Sequence, residues 1–410
     1  MFERTLKTYI EKTTAGFPVL LLTGMRQVGK TTLLSGMAEP ERRYVSLDDM
    51  AMRAFARRDP EGFIRQCSLP CIIDEVQYAP ELFIAIKIWV DEQKRTGHKP
   101  KGVFWLTGSQ HYHLMKGVQE SLAGRVALID MLGLSLKEIN GRGNESHPFL
   151  PSSDLLTVPA GMKNYNQLEM FTHIWRGSFP EPIADTTVER ETFYRSYIRS
   201  YIERDVKDFH GLRDDLSFHD FLRAAAARTG NLLNFSDLCR DVGIDIQTAK
   251  NWLSILERSG IIKLLEPYSP NITQRIIKTP KLFFMDTGLA SYLAGWDTPE
   301  SLMRGAQNGA MLETWVFSEI LKGYWHNGKE VNIYFYRDRN QKEIDFVIEK
   351  NMTLYPIEVK KTASPGAADL KHFGVLKQLG KETGTGAVLC LHPTPMPLER
   401  DVVSFPLWEL

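Results

Sequence analysis

The chain has 410 residues, 43% of them hydrophobic, and its 50 Lys plus Arg balance 50 Asp plus Glu to a formal net charge of zero. That length predicts about two to four domains with real cores, and the neutral balance leaves nucleic-acid binding to a local patch rather than to global charge. The longest apolar stretch, FPVLLLTG, falls short of the roughly 20 residues that cross a bilayer. The N-terminus MFERTLKTYIEK lacks the apolar core of a secretory signal. The expectation is a cytoplasmic protein with no membrane partner. The cysteines, Cys67, Cys71, Cys239 and Cys390, form no CxxC pair and have no His at zinc spacing, which argues against a structural zinc and a disulfide framework.

In chain order, the first strong signal is FPVLLLTGMRQVGKTTLL. An apolar strand, Val19 to Leu22, leads into Gly24, Met25, Arg26, Gln27, Val28, Gly29, Lys30, Thr31 and Thr32, a G-x-x-x-x-G-K-T loop followed by a helix-forming run. The glycines let backbone N–H groups curl around phosphates, and the next helix points its N-terminus at them. Lys30 is expected to reach the β and γ oxygens and the Thr31 hydroxyl to ligate Mg²⁺. LPCIIDEVQ follows as a buried strand ending in Asp74 and Glu75, where the first acid holds the Mg²⁺ shell and the second polarises the attacking water.

GVFWLTGS is a third strand, tipped by Thr107 and Ser109. Either could sense the γ-phosphate, and both residue types also cap helices. SLAGR places Arg125 before a further strand, as an arginine finger for a neighbouring subunit or as a surface arginine. Strands at Val19–Leu22, Arg43–Leu47, Cys71–Ile73, Val103–Thr107 and Ala127–Leu132 alternate with helical runs, the pattern of a parallel, doubly wound sheet.

The middle of the chain changes character. Residues 142–165 and 176–182 read as loop and turn, and VERETFYRSYIRSYIERDVKDF as one long helix. Its Phe193, Tyr197 and Tyr201 fall on one face, and Arg195, Arg199 and Arg204 on a salt-bridged one. In NFSDLCRDVGIDIQTAKNWLSILERSGIIKLLEPY a short helix ends at Gly243 and Asp245 caps a second. Ile246, Ala249, Leu253 and Leu256 form the apolar face of that second helix. With KLFFMD this reads as helix, turn, helix and β-wing, with Gln247, Lys250, Asn251 and Ser254 offered to DNA or to a partner protein.

After GAMLETWVFSEILKGYW the chain turns strand-rich, with a helix expected over Lys371 to Gly380. Asp345 and Glu358 lie on adjacent predicted strands, Lys360 shares the face of Glu358 by the two-residue period, and Glu313 lies on the preceding helix. Two carboxylates on one face can share a divalent cation, Mg²⁺ or Mn²⁺, or can simply face water. Glu349, near the hairpin turn, is expected to be a bystander.

Together TGMRQVGKTTLL, IIDEVQ, LTGSQ, SLAGR, RDV and EIDFVIE…IEVKK resemble the bacterial and archaeal AAA-type ATPases whose C-terminal half is a domain of unassigned function, over nearly the full chain. The resemblance implies ATP binding and Mg²⁺-dependent hydrolysis by Lys30, Thr31, Asp74 and Glu75. It also implies a restriction-endonuclease-like C-terminal fold with matching positions Glu313, Asp345, Glu358 and Lys360. The expected class is α/β. An AAA-type P-loop core over 1–135 precedes a helical lid over 136–212, a winged-helix-like domain over 213–298 and a restriction-endonuclease-like domain over 299–410. The expected partners are ATP, double-stranded or branched DNA and further copies of the chain. The expected task is ATP-coupled DNA processing, with a nucleotide switch on an inactive nuclease-like scaffold as the alternative.

Overall fold

A computed structural model describes residues 1–108, 118, 121–157, 163–202, 215–271, 273, 275 and 278–410. Two compact units divide the chain. The first comprises Met1–Leu134, Arg258–Gly260 and Trp325–Gly328, and the second comprises Ser135–Glu257, Ile261–Tyr324 and Lys329–Leu410. The expected boundaries near 212 and 298 therefore fall inside the second unit. No described helix is long and apolar enough to cross a membrane.

The first unit is built on a parallel sheet of β1 (Val19–Thr23), β2 (Arg43–Ser46), β3 (Cys71–Asp74), β4 (Phe104–Thr107) and β5 (Val126–Asp130), in the order β2-β3-β4-β1-β5. Each predicted strand is present, with ends shifted by a residue or two as end-fraying allows. β1, β3 and β4 are buried along their whole length, which is why they read as continuous apolar runs. Leu21, Val45, Ile73 and Leu106 of the strands pack with Phe63, Phe83 and Ile86 of the covering helices. Because the strands are parallel, the loops after β1, β3 and β4 gather at one rim of the sheet.

In the second unit, helix Phe235–Val242 ends at Gly243 in the left-handed region (φ 77°), and helix Ile246–Arg258 follows. Asp245 caps it, accepting from the Thr248 amide at 2.9 Å and from its hydroxyl at 2.6 Å. Its apolar face departs from expectation at one end. Ile246, in the first turn, is 47% exposed, and Trp252 takes a core place, 5.1 Å from the rings of both Phe218 and Phe221. A three-stranded antiparallel sheet, β6 (Asn231–Leu232), β8 (Lys281–Phe284) and β7 (Ile262–Leu265), packs beside them.

Three other expectations change. The long helix is a helix over Arg190–Tyr197 that passes into a π-helical turn over Ile198–Ile202, and its continuation, with Arg204, lies outside the described residues. Its aromatic face is a core face: Phe193, Tyr194 and Tyr197 are buried around Phe179. The expected helix over 371–380 is a pair of 3-10 turns, Ala367–Leu370 and Phe373–Leu379. The expected loop over 142–165 carries 3-10 turns at Gly143–Glu145 and Ser153–Thr157.

After helix Asn308–Trp325 comes a seven-stranded mixed sheet. Its strands are β9 (Asn332–Arg337), β10 (Glu343–Lys350), β11 (Thr353–Val359), β12 (Glu382–Thr383), β13 (Gly386–Cys390), β14 (Met396–Glu399) and β15 (Val402–Pro406), ordered β14-β15-β13-β11-β10-β9 with β12 beside β11. β9, β10 and β11 form an antiparallel meander, and β13 returns parallel to β11.

Candidate functional site

The loop after β1 turns on two glycines. Gly24 has φ 133°, and a Cβ there would meet the Met131 carbonyl oxygen at 2.1 Å, so no side chain fits. Gly29 is left-handed (φ 93°) and leads directly into helix Lys30–Met37. Between them Met25 and Val28 are buried, anchoring the loop, while Gln27 is exposed at φ 61°. Lys30 is buried at the helix start and donates to the carbonyls of Gly24 at 3.0 Å and Met25 at 2.7 Å. Burial pushes its ammonium down to about 8 against the pull of the Glu75 and Asp74 carboxylates. A cation so poorly solvated has much to gain from an arriving anion.

Asp74, at the end of β3, is the centre of the site. It accepts from the Thr31 hydroxyl at 3.1 Å on each carboxylate oxygen, from the Tyr44 hydroxyl at 2.8 Å, from the Thr107 hydroxyl and from the Glu75 amide at 3.1 Å. The strand order explains this convergence, since β3 lies between β2, which carries Tyr44, and β4, which carries Thr107. Burial, with the Asp74 charge, pushes the Tyr44 hydroxyl up to about 12. Glu75 adopts a left-handed conformation (φ 56°, ψ 44°), which costs a non-glycine residue free energy and recurs at working sites. Its carboxylate accepts from the Gln77 side-chain amide. The juxtaposed Thr31 hydroxyl and Asp74 carboxylate are the oxygen pair that suits Mg²⁺.

Ser109 lies outside the described residues, and Thr32 is exposed on the helix. Arg125 precedes β5, where Val126 pairs with Val19, so it sits at the opposite rim of the sheet. The length of β1 puts it about 15 Å from its own P-loop. There its guanidinium grips Asp91 with Nε–Oδ1 at 2.7 Å and Nη2–Oδ2 at 2.8 Å.

The C-terminal candidates also come together. Phe346 faces Ile357 across β10 and β11, so the next pair in register is Asp345 and Glu358, on one face. A register shift between Ile344 and Val347 on the β9 side re-aims Asp345, which accepts from the Val359 amide at 2.8 Å. Lys360 Nζ lies 2.5 Å from Glu358 and 3.9 Å from Asp345. Burial, with the Asp345 charge, pushes Glu358 up to about 9 and Glu313 up to about 8.

Sequence reasoning missed the next member. Lys281 of β8, its side chain 4% exposed, contacts Glu343 at 2.6 Å and Glu313 at 3.3 Å. Among the described residues no group of three or more His, Cys, Asp or Glu is arranged to hold a metal ion. The expected ligand set Glu313, Asp345 and Glu358 is interleaved with two lysines, Lys281 and Lys360.

A parallel sheet with a Gly-rich loop after β1, a buried lysine and threonine at the next helix start and an acid at the end of β3 defines a P-loop nucleotide-binding protein. Residues 16–140 match the family model of the AAA domain, 167–300 a domain of unknown function (DUF8612) and 308–410 a domain of unknown function (DUF4143). The N-terminal part of the chain is thus similar to the AAA domain of P-loop ATPases, and the remainder to two domains of unknown function. It is 27% identical over 352 residues to the uncharacterized protein Rv2008c of Mycobacterium tuberculosis, covering 85% of this chain and 71% of the relative. Among solved structures it is similar to the Walker-type ATPase PABY2304 of Pyrococcus abyssi (18% identity, 72% of this chain and 96% of that one, TM-score 0.42). A further similar structure is the RuvB Holliday junction branch migration motor of Thermotoga maritima (14% identity, 65% and 89%, TM-score 0.28).

Proposed function

We propose that the protein hydrolyses ATP at the Lys30–Asp74 site and uses the nucleotide state to switch the second unit. The observation that carries this reading is the convergence of Thr31 and Asp74, with Lys30 buried beside them at the helix N-terminus. Backbone amides of residues 24–31 would hold the phosphates. Lys30 would exchange its two carbonyl partners for β and γ oxygens, neutralising charge as it develops. Thr31 and Asp74 would hold Mg²⁺, which supplies charge neutralisation on the phosphates when bound. Glu75 would orient the attacking water and take its proton, with Gln77 fixing its carboxylate, and Thr107 couples Asp74 to the neighbouring strand. Lys30→Ala is expected to lose tight nucleotide binding. Glu75→Gln should bind ATP normally and turn it over slowly, and normal turnover in Glu75→Gln would remove the role given to the acid pair.

Three finer assignments belong to the same reading. Arg125 is too distant to serve its own phosphates, which supports a role in trans within a homo-oligomer. The helix pair and three-stranded sheet support a winged-helix assignment, in which the exposed Gln247 and Lys250 and the half-buried Asn251 would face double-stranded or branched DNA. A Gln247/Lys250/Asn251 triple alanine variant should then bind DNA less tightly, and unchanged affinity would move this module to protein contact. The β9–β11 meander with parallel β13 supports a restriction-endonuclease-like ancestry for the C-terminal part. Between a nuclease-coupled motor and a nucleotide switch with a silent nuclease-like fold, the lysine-filled acid cluster favours the switch.

A further inference from the structure

The C-terminal cluster has the chemistry of a cation site with the cation already built into the chain. Glu313 comes from helix Asn308–Trp325, Glu343 and Asp345 from β10 and Glu358 from β11. Lys281 comes from elsewhere. It opens β8, a strand paired with Leu232 of β6 and Leu265 of β7, so the small sheet extends one ammonium into the carboxylates of the large one. It is buried, 2.6 Å from Glu343 and 3.3 Å from Glu313, and 5.4 Å from the centre of the Phe335 ring on β9. Arg337 supports Glu343 from the other side at 3.5 Å, and Lys360 holds Glu358 and Asp345. A lysine this buried persists only where partners repay its desolvation, and here its ion-pair partners are Glu313, one of the expected metal ligands, and Glu343, two residues before another, Asp345.

We propose that Lys281 is the resident cation of this cluster. Its ammonium occupies the Glu313 and Glu343 oxygens, excludes divalent metal from the wild-type protein, and serves as an ionic latch between the three-stranded and seven-stranded sheets. A second cation entering the cluster would meet both the filled carboxylates and the repulsion of a buried like charge. The idea does not depend on the ATPase reading.

The test uses full-length, nucleotide-free protein carrying Asp74→Asn, which removes the P-loop ligand, and reads Mn²⁺ binding by the paramagnetic resonance of the free ion. The parent should bind no Mn²⁺ that depends on Asp345. Adding Lys281→Met should create about one Mn²⁺ site per chain, since carboxylate oxygens freed of their lysine suit a hard divalent ion, and adding Asp345→Asn should erase it. Lys281→Met should also lower the melting temperature, and Glu313→Gln on top of it should restore part of the loss by removing an uncompensated acid. The proposal falls if the parent binds Mn²⁺ in an Asp345-dependent way, or if folded Lys281→Met gains no site. It also falls if Glu313→Gln leaves the Lys281→Met melting temperature unimproved. ATP turnover by Lys281→Met in a protein that keeps the native Asp74 should match wild type, so a failure of the P-loop reading is seen separately.

Discussion

Single residues separate what chemistry writes locally from what folding assembles. Gly24, Gly29, Lys30 and Thr31 could be read from the sequence because a phosphate cradle is one continuous loop, and its spacing is its geometry. Tyr44 could not: it reaches Asp74 only because β2 lies beside β3, and nothing in RYVS marks that. Tyr44→Phe should lower ATP turnover about fivefold, the worth of one hydrogen bond of about 1 kcal/mol. It should leave the melting temperature nearly unchanged, because the ring is 47% exposed. A melting temperature that fell in step with turnover would make the tyrosine structural. His173 gives a pH prediction. Burial, reinforced by Lys163 and Arg176, holds it down to about 4 from 6.5. Between those values the unfolded chain binds the proton and the folded one does not. The stability this group contributes is therefore complete above pH 6.5 and is lost as pH falls toward 4, at up to about 1.4 kcal/mol per pH unit. His173→Gln should flatten that limb in urea titrations, and an unchanged slope would show that the ring is protonated in the fold.

At the scale of elements, strands with buried faces were legible and long polar helices were not. Unbroken apolar runs carried β1, β3 and β4. The helix after Glu189 departs from expectation because its aromatic period continues through Tyr201 while the backbone widens to a π turn at Ile198, a change that composition does not record. Arg125 joins helix Leu82–Arg95 to the start of β5 through Asp91. This half-exposed pair should contribute about 1 kcal/mol at most, so Arg125→Ala and Asp91→Ala should melt alike. Their turnover should differ. If Arg125 works on a neighbour's ATP, only Arg125→Ala loses hydrolysis, and mixing it with Glu75→Gln restores part. Equal turnover in the two single variants would leave Arg125 a surface clamp.

For the whole molecule, sequence order indicated which elements exist and not which ones share charges. Glu349 shows the gap. Near a hairpin turn it reads as a bystander, yet it pairs with Arg275 at 3.2 Å, and Arg275 lies over the rings of Tyr268 and Tyr334 and donates to the Ser269 carbonyl at 2.6 Å. The second unit is thus tied by two cations, Arg275 and Lys281, whose acids lie far along the chain. Glu349→Ala should cost the full-length protein about 2 kcal/mol in denaturant titration, since it strands a largely buried guanidinium. A loss within measurement error would return Glu349 to the bystander class.

The polarity of the first sheet carries a genetic consequence. Phosphate loop and Arg125 stand at opposite rims, so on the trans reading each copy lends one half of a site and completes another. A copy carrying both Lys30→Ala and Arg125→Ala would then silence its own site and a neighbour's. Co-expressed with the wild type in freely mixing assemblies, such a copy would be dominant, and total turnover would fall as the square of the wild-type fraction rather than in proportion to it.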